Sequence, residues 1–281
     1  MIVISDIHAG CRMGLCPPAG ITVDDGGLYT PSKMQLVMWA WWRSFWDEWV
    51  PSVCRDEPYA VVFNGDSLDG VHHGSTTQIS HNLDDQAQLA RDILDPVVEA
   101  CEGRYYHIRG TEAHVGKSGA EENRLARTLG AIPNEEGQFA RYDLWLEIGD
   151  RLIHFLHHIG TTSSNAYEAT AVMKELTEEF NEAARWHEQP PDIIARSHRH
   201  RNFEIRVPAA NGYAIAFVTP AWQLKTPFCW KIAGARLAPS QIGGSIIRLG
   251  DEDLYTRHKT WSVGRSKRER AGRRRGDKAK A

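Results

Sequence analysis

Four short clusters of imidazole and carboxylate side chains recur along this 281-residue chain, each at the end of an apolar run. They are Asp6-Ile7-His8, Gly65-Asp66-Ser67-Leu68-Asp69, Leu156-His157-His158 and Ser197-His198-Arg199-His200. A fifth turn, Gly110-Thr111-Glu112-Ala113-His114, follows another apolar run. Imidazole nitrogen and carboxylate oxygen suit Zn, Mn and Fe, and the lack of a C-x-x-C pair argues against a structural zinc knuckle. Residues two apart on an extended chain point the same way, so Asp6 and His8 face one site together, as do His198 and His200. Asp66, after a glycine in a tight turn, is the natural carboxylate to bridge two ions. A lone Asp-x-His is an ordinary polar turn; four such turns in this order imply one site.

The elements needed to carry these turns can be read around them. Strands are expected at residues 1–5, 59–63, 105–108, 151–156 and 193–196, each delivering a cluster. Gly149-Asp150, between 142–148 and 151–156, reads as a hairpin, and so does Asn211-Gly212, between 203–207 and 213–219. Residues 245–249 and 255–260 complete a strand-rich end. Helices are expected from Ser32, as N-cap, to about Val50 with Pro51 as the stop, and at 78–100, 121–129 and 164–187. Residues 10–31 form a Gly- and Pro-rich loop insertion with a short hairpin near Asp25-Gly26-Gly27. Strands alternating with helices, then antiparallel strands, imply an α/β fold of two packed mixed sheets with helices outside. Trp39, Trp42, Trp46 and Trp49 recur at helical spacing, as a core-facing stripe or as a stacking platform for bases.

Composition narrows the class. The chain is 42% hydrophobic and 25% charged, enough for one large domain, and contains no internal repeat or clear linker. Its net charge of −3 hides a split: residues 265–281 carry nine Lys and Arg against Glu269 and Asp277, a local +7, leaving 24 against 34, or −10, elsewhere. A tail with no apolar residue larger than Ala builds no core and is expected to be disordered, either solvated or bound to phosphate backbones. We therefore divide the chain into a domain at 1–263 and a basic tail at 264–281. The opening apolar stretch is too short for a signal peptide, no run reaches the roughly 18 residues of a membrane span, and the five cysteines are odd in number and scattered. A soluble, cytoplasmic location is the expectation, host cytoplasm if the chain is phage-encoded.

The ordered motifs resemble those of the calcineurin-like metallophosphoesterase superfamily, whose pattern runs D-x-H, G-D-x-x-D, G-N-H-[D/E], a His, then G-H-x-H. Four of the five blocks match, over about residues 1–220. The segments from Gly65 to Gly74 and from Gly110 to His114 look most like bacteriophage-type members. The resemblance implies a four-layer αββα sandwich and two divalent ions, Mn foremost with Fe or Zn as alternatives. One ion would take Asp6, His8, Asp66 and His200; the other would take Asp66, His157 (or its neighbour His158), His198 and a ligand from the third block. That block departs from the pattern, with Thr111 at the Asn ligand position and Glu112 where the acid His usually stands, so Glu112 or a water would complete the second ion's shell. Ser197 replaces the usual Gly.

Two ions about 3.5–4 Å apart would share a water, lower its pKa and clamp phosphate oxygens for in-line attack. No protein nucleophile is required, and the chain has no G-x-S-x-G or C-x₅-R. His114 is the first choice to protonate the leaving oxygen, His72 or His73 the second, and Arg109 could offset phosphoryl charge. Asp69 is expected to orient His8 without binding metal itself. His81, His107, His154, His187 and His258 read as structural or surface residues, and no P-loop or dinucleotide glycine pattern appears. These features together imply a phosphodiesterase or nuclease acting on nucleic acid or nucleotides, with the basic tail as a possible nucleic-acid contact and no membrane partner. A phosphomonoesterase is the first alternative. The second is a non-catalytic scaffold, as the retromer subunit of this superfamily is.

Overall fold

The computed structural model describes residues 1–72, 74–160, 164–210, 212–232, 236–250 and 254–264. Its strands, in chain order, are β1 (Ile2–Ile4), β2 (Ile21–Thr22), β3 (Leu28–Tyr29), β4 (Val61–Asn64), β5 (Tyr105–Ile108), β6 (Ala140–Arg141) and β7 (Asp143–Ile148). There follow β8 (Arg151–Leu156), β9 (Ile193–Arg196), β10 (Phe203–Ala209), β11 (Gly212–Val218), β12 (Gln241–Leu249) and β13 (Leu254–Ser262). The helices are α1 (Lys33–Ser44), α2 (Val50–Cys54), α3 (Leu83–Ala100), α4 (Glu112–Val115), α5 (Ala120–Thr128) and α6 (Glu168–Trp186).

One sheet has the order β13-β12-β1-β4-β5-β6, the other β10-β11-β9-β8-β7. In the first, β1, β4, β5 and β6 run parallel, while β12 and β13 add an antiparallel edge. In the second, β8, β9 and β11 are parallel and flanked by antiparallel β7 and β10. Side chains alternate faces along a strand, and both faces of β1, β4 and β9 are buried, hence their uninterrupted apolar runs. Val3, Val62, Phe155, Ile193 and Phe217 meet between the sheets. Their neighbours Ile2, Ile4 and Phe63 turn outward, against Leu89 and Ile93 of α3 and against Trp42. Ile194, Ala214 and Ala216 face Val172 and Leu176 of α6 on the opposite side. The result is helix, sheet, sheet, helix, the four layers expected from the sequence.

Boundaries differ where local chemistry outweighs pattern. Ser32 does cap α1: its hydroxyl accepts from Gln35 N, and its own N–H donates to Gln35 Oε1. Pro51, however, does not stop the helical run. A π-helical segment, Phe45–Trp49, leads into α2, where Pro51 occupies the first turn and its missing N–H leaves no bond unmade. The run ends at Arg55, in the left-handed region at φ 53°. The tryptophans follow the core-facing reading: Trp42 is 3% exposed and meets Trp222 edge to face at 4.8 Å, and Trp39, Trp46 and Trp49 pack half-buried against the same core. Helix α3 starts five residues later than expected, under an Asn82 cap, because Gln78 is drawn inward to donate to Asp69 Oδ2. The hairpins at Gly149-Asp150 and between β2 and β3 form as expected; β10 and β11 also pair, with Asn211 itself outside the described residues, as is the basic tail. No helix among the described residues is long and apolar enough to cross a membrane.

Candidate metal centre

The parallel strands β1, β4, β5, β8 and β9 all release their chains at one edge of the sandwich, where ligands collect in open α/β sheets. Beyond those strand ends stand Asp6 and His8, Asp66, Thr111, His157, and His198 and His200. The extended-chain argument for the Asp-x-His and His-x-His pairs proves wrong. Asp6, His8, Asp66, His198 and His200 all lie in the left-handed region, at φ 54°, 43°, 58°, 71° and 54°. Each such residue costs on the order of 1–3 kcal/mol unless its surroundings impose it. Here they do, because the turns are bonded to one another: Asp6 N donates to Gly65 O at 2.9 Å, His8 N to Asp66 O at 3.2 Å, Trp222 N to Asp6 O at 3.0 Å and Gln241 N to His200 O at 3.0 Å. Two glycines permit the approach. A Cβ on Gly65 would lie 2.4 Å from His157 Nδ1, and one on Gly110 would lie 2.1 Å from Asp66 Oδ1.

The donor atoms face one another at distances that suit ligation. His200 Nε2 is 3.2 Å from Asp6 Oδ1 and 3.3 Å from His8 Nε2, while His157 Nε2 is 3.2 Å from Asp66 Oδ2. Ligands bound at about 2.0–2.2 Å to one ion lie roughly 3.0–3.4 Å apart, so these spacings fit a shared cation. Asp6 Oδ1 is buried without a hydrogen-bond partner, although two imidazoles face it. Asp6, His8 and His200 form one set able to hold an ion; Asp6, Asp66 and His157 form a second, and His157, His158 and His198 a third. Asp66 stands between them, 3.8 Å from His8 Nε2 as well as 3.2 Å from His157 Nε2. The residues present therefore fit divalent ions.

Charge is arranged accordingly. Burial alone would raise the Asp66 pKa, but the His157 and His114 imidazoles hold it well below the usual carboxylate range. Burial would depress His8, yet bonding to Asp6 and Asp69 and the charge of Asp66 lift it to about 10. Asp66 likewise lifts buried His157 to about 9. His198, its imidazole partly desolvated and beside the His157 charge, falls to about 4. Without metal, Asp66 is held ionised beside His8 and His157, whose pKa values are raised, while those of His114, His158 and His198 are lowered.

The individual expectations sort clearly. His157 is the better placed of its pair: its Nδ1 donates to Asn64 O at 2.7 Å and its Nε2 faces Asp66, while His158 lies beside His198 with ring centroids 5.1 Å apart. Thr111 is central. Its N–H donates to Asp66 Oδ1 at 2.6 Å, and its hydroxyl lies 3.3 Å from His157 Nε2 and 3.0 Å from His198 Nδ1. Glu112, named above as a possible ligand, is exposed on α4 and belongs to none of the metal-capable sets. The strand-to-helix turn brings Thr111 inward and faces Glu112 toward a separate cavity of about 320 Å³. Arg109 lines that same cavity, and its guanidinium is committed to Ala140 O, Ser118 O and Gln138 Oε1, so it is not aimed at a phosphoryl group in the main pocket. Asp69 Oδ1 sits 3.5 Å from His8 Nδ1 and Asp69 Oδ2 accepts from Gln78, which orients the imidazole. His114 donates from Nδ1 to Asp69 O at 2.6 Å, packs edge to face on His8 and His72, and has its pKa lowered, chiefly by burial. His73 lies outside the described residues.

Two contributors escape sequence reasoning. Asn64 donates to Ser197 Oγ at 2.7 Å and to Leu156 O, joining the sheets beneath the ligands; the Ser that replaces Gly at 197 supplies the acceptor. Glu122 of α5, fully buried, accepts from Ser67 and Gly110. Nothing in the local pattern of a polar helix start marks it. The ligand turns line a pocket of about 650 Å³, bordered by His8, Asp66, His72, His114 and His198 together with Phe228 and Lys231.

No protein-family model matches the chain, and no curated protein does. Solved structures do. The vacuolar protein sorting 29 structure from Cryptosporidium parvum shares 11% identity over 93% of this chain and 97% of that one, with a TM-score of 0.36. A conserved protein of Streptococcus pneumoniae described as a predicted phosphoesterase gives 10%, 92%, 96% and 0.33 for the same measures. The Haemophilus influenzae NAD nucleotidase gives 10% identity over 93% of this chain and 49% of that one, with a TM-score of 0.37. These likenesses are too loose to bear on function; the sheet order and the ligand turns stand on their own.

Proposed function

We propose that the chain is a metal-dependent phosphoester hydrolase, and that its substrates are phosphodiesters of nucleic-acid or nucleotide type. One observation carries the reading: Asp66, buried and ionised, stands between the Asp6/His8/His200 set and the His157/His198 set, bordering an open pocket. When bound, a pair of divalent ions would supply Lewis acidity toward phosphate oxygens and a water nucleophile at neutral pH. Mn is the first choice of metal, Fe or Zn the second.

The remaining chemistry belongs to the chain. Asn64 O pins the His157 tautomer so that Nε2 faces Asp66, and Asp69 does the same for His8. Thr111 donates its N–H to Asp66 Oδ1, which fixes the plane of that carboxylate. The His72–His114 pair, with ring centroids 4.5 Å apart beside the pocket, is assigned to leaving-group protonation; His114 already gives its Nδ1–H to Asp69 O, so it would act only in its doubly protonated form. A pocket of this size leaves room for an ester group on either side of the phosphorus, which favours the diester. The nine cationic residues of the tail favour a polyanionic substrate.

The test is turnover of bis(p-nitrophenyl) phosphate by Mn-loaded protein, with Asp66→Asn as control. Metal-dependent hydrolysis that disappears in the variant is expected. A protein that binds Mn yet leaves the diester intact rejects the diesterase, and p-nitrophenyl phosphate then separates a monoesterase from a scaffold.

A further inference from the structure

We infer that Glu122 is a positioning residue that locks the second and third ligand turns in register and thereby sets the affinity of the centre for metal. The inference rests on reading the cluster as a metal centre, and on no particular substrate.

Glu122 sits near the start of α5 and is wholly inaccessible, and both its oxygens are engaged. Oε1 accepts from Ser67 N at 3.1 Å and Ser67 Oγ at 2.8 Å, and lies 3.2 Å from His107 Nε2. Oε2 accepts from Gly110 N at 2.6 Å. Ser67 follows Asp66 in the chain, and Gly110 precedes Thr111, whose N–H holds Asp66 Oδ1. One carboxylate thus holds the backbone N–H groups on both sides of Asp66. Gly110 also packs directly on Asp66, where a Cβ would lie 2.1 Å from Oδ1 and 2.2 Å from N. The two turns therefore touch, and the carboxylate of α5 is the acceptor for the N–H groups that border the contact. His107 braces it from below and is itself bonded through Nδ1 to the Tyr105 hydroxyl at 2.9 Å.

A carboxylate accepts on both oxygens; an amide accepts on one and donates from the other. In Glu122→Gln, one of the two turns must face an NH₂ group instead of an acceptor. The turns would then lose their shared register, and partners beyond the ligand shell typically change metal affinity by 10–100-fold.

The experiment is calorimetric titration of the apo full-length protein with MnCl₂, alongside thermal unfolding in EDTA. Glu122→Gln should weaken Mn binding by about 10–100-fold. Glu122→Asp, which keeps the charge but reaches only one turn, should also weaken it; this variant serves if Glu122→Gln does not fold. Tyr105→Phe loosens the same buried network away from the ligand turns, and should lower the unfolding temperature with Mn affinity unchanged. Wild-type Mn affinity in the Glu122 variants, with an unfolding temperature lowered as in Tyr105→Phe, would overturn the inference and leave Glu122 a packing residue. Wild-type protein that binds no Mn removes the metal-centre reading and this inference with it. Mn binding without hydrolysis removes only the proposed activity.

Discussion

Gly110→Ala adds one methyl group and should disable the centre. Gly110 needs no unusual backbone angle, so the effect is steric alone. The new Cβ would lie 2.1 Å from Asp66 Oδ1 and 2.2 Å from Asp66 N, roughly 0.8–0.9 Å inside the 3.0 Å closest approach real Cβ atoms make. Asp66 cannot retreat, because its turn is bonded to His8 N and its carboxylate is held by Thr111. The Asp66 carboxylate, which stands between the ligand sets, must shift by about the shortfall, and misplacing a reacting group by about 1 Å can cost on the order of 100-fold in rate. Overpacking should also cost about 1–3 kcal/mol of stability. Gly137→Ala is the control: Gly137 has φ 73° and open space where its Cβ would go, so it meets backbone strain without a clash. Mn titration and bis(p-nitrophenyl) phosphate turnover should show Gly110→Ala reduced at least about 100-fold in rate, with Gly137→Ala near wild type. Full turnover and metal stoichiometry in Gly110→Ala would mean that Asp66 is not the shared ligand.

Other outcomes follow from the charges and the core. His8 and His157 are protonated at pH 7 in the metal-free protein, with pKa values lifted to about 10 and about 9, and must be neutral to ligate. Metal binding at pH 7 should therefore release about two protons and weaken as pH falls, which calorimetry in buffers of different ionisation enthalpy would detect. Half-buried Glu204 is held near pKa 2, against partial desolvation, by His258, Thr256 and Arg206. A depressed carboxylate stabilises the fold fully above its unfolded value of about 4.5 and loses that contribution as pH falls toward 2, at most about 3 kcal/mol here. The gap in unfolding temperature between wild type and Glu204→Gln should accordingly shrink from pH 6 to pH 3, and a constant gap would contradict the assignment. Trp42→Ala empties a site against Trp222 and should cost about 3–5 kcal/mol in denaturant unfolding.

The strands that deliver ligands were legible because burial on both faces leaves a continuous apolar run that stops where the polar turn begins. Residues 105–108, 151–156 and 193–196 match their strands to the residue. The ligands were legible by type and order, though not by conformation. Alternation along a strand says nothing about a residue that has already left the strand, so the left-handed turns at Asp6, His8, Asp66, His198 and His200 were invisible. The fate of Arg109 and Glu112 and the inward role of Thr111 depend on which way one turn rolls against β6 and α5, a tertiary choice with no local signal. Glu122 is illegible for the same reason: its acceptors' partner, Ser67, is 55 residues away. The π-helical segment escaped because Phe45–Trp49 keeps nearly the same apolar stripe as an ordinary helix.

The ligands of each set come from both layers of the sandwich. Asp6, His8 and Asp66 leave one sheet; His157, His198 and His200 leave the other. An ion bound among them would act as a rivet through the sandwich as well as a reagent. Its binding energy would then oppose any sliding of one sheet over the other, and at a free concentration of 100 times Kd it would add about 2.7 kcal/mol to the stability of the whole domain. A change buried deep between the sheets, far from any ligand, could thus be felt first as a change in how tightly the protein holds its metal.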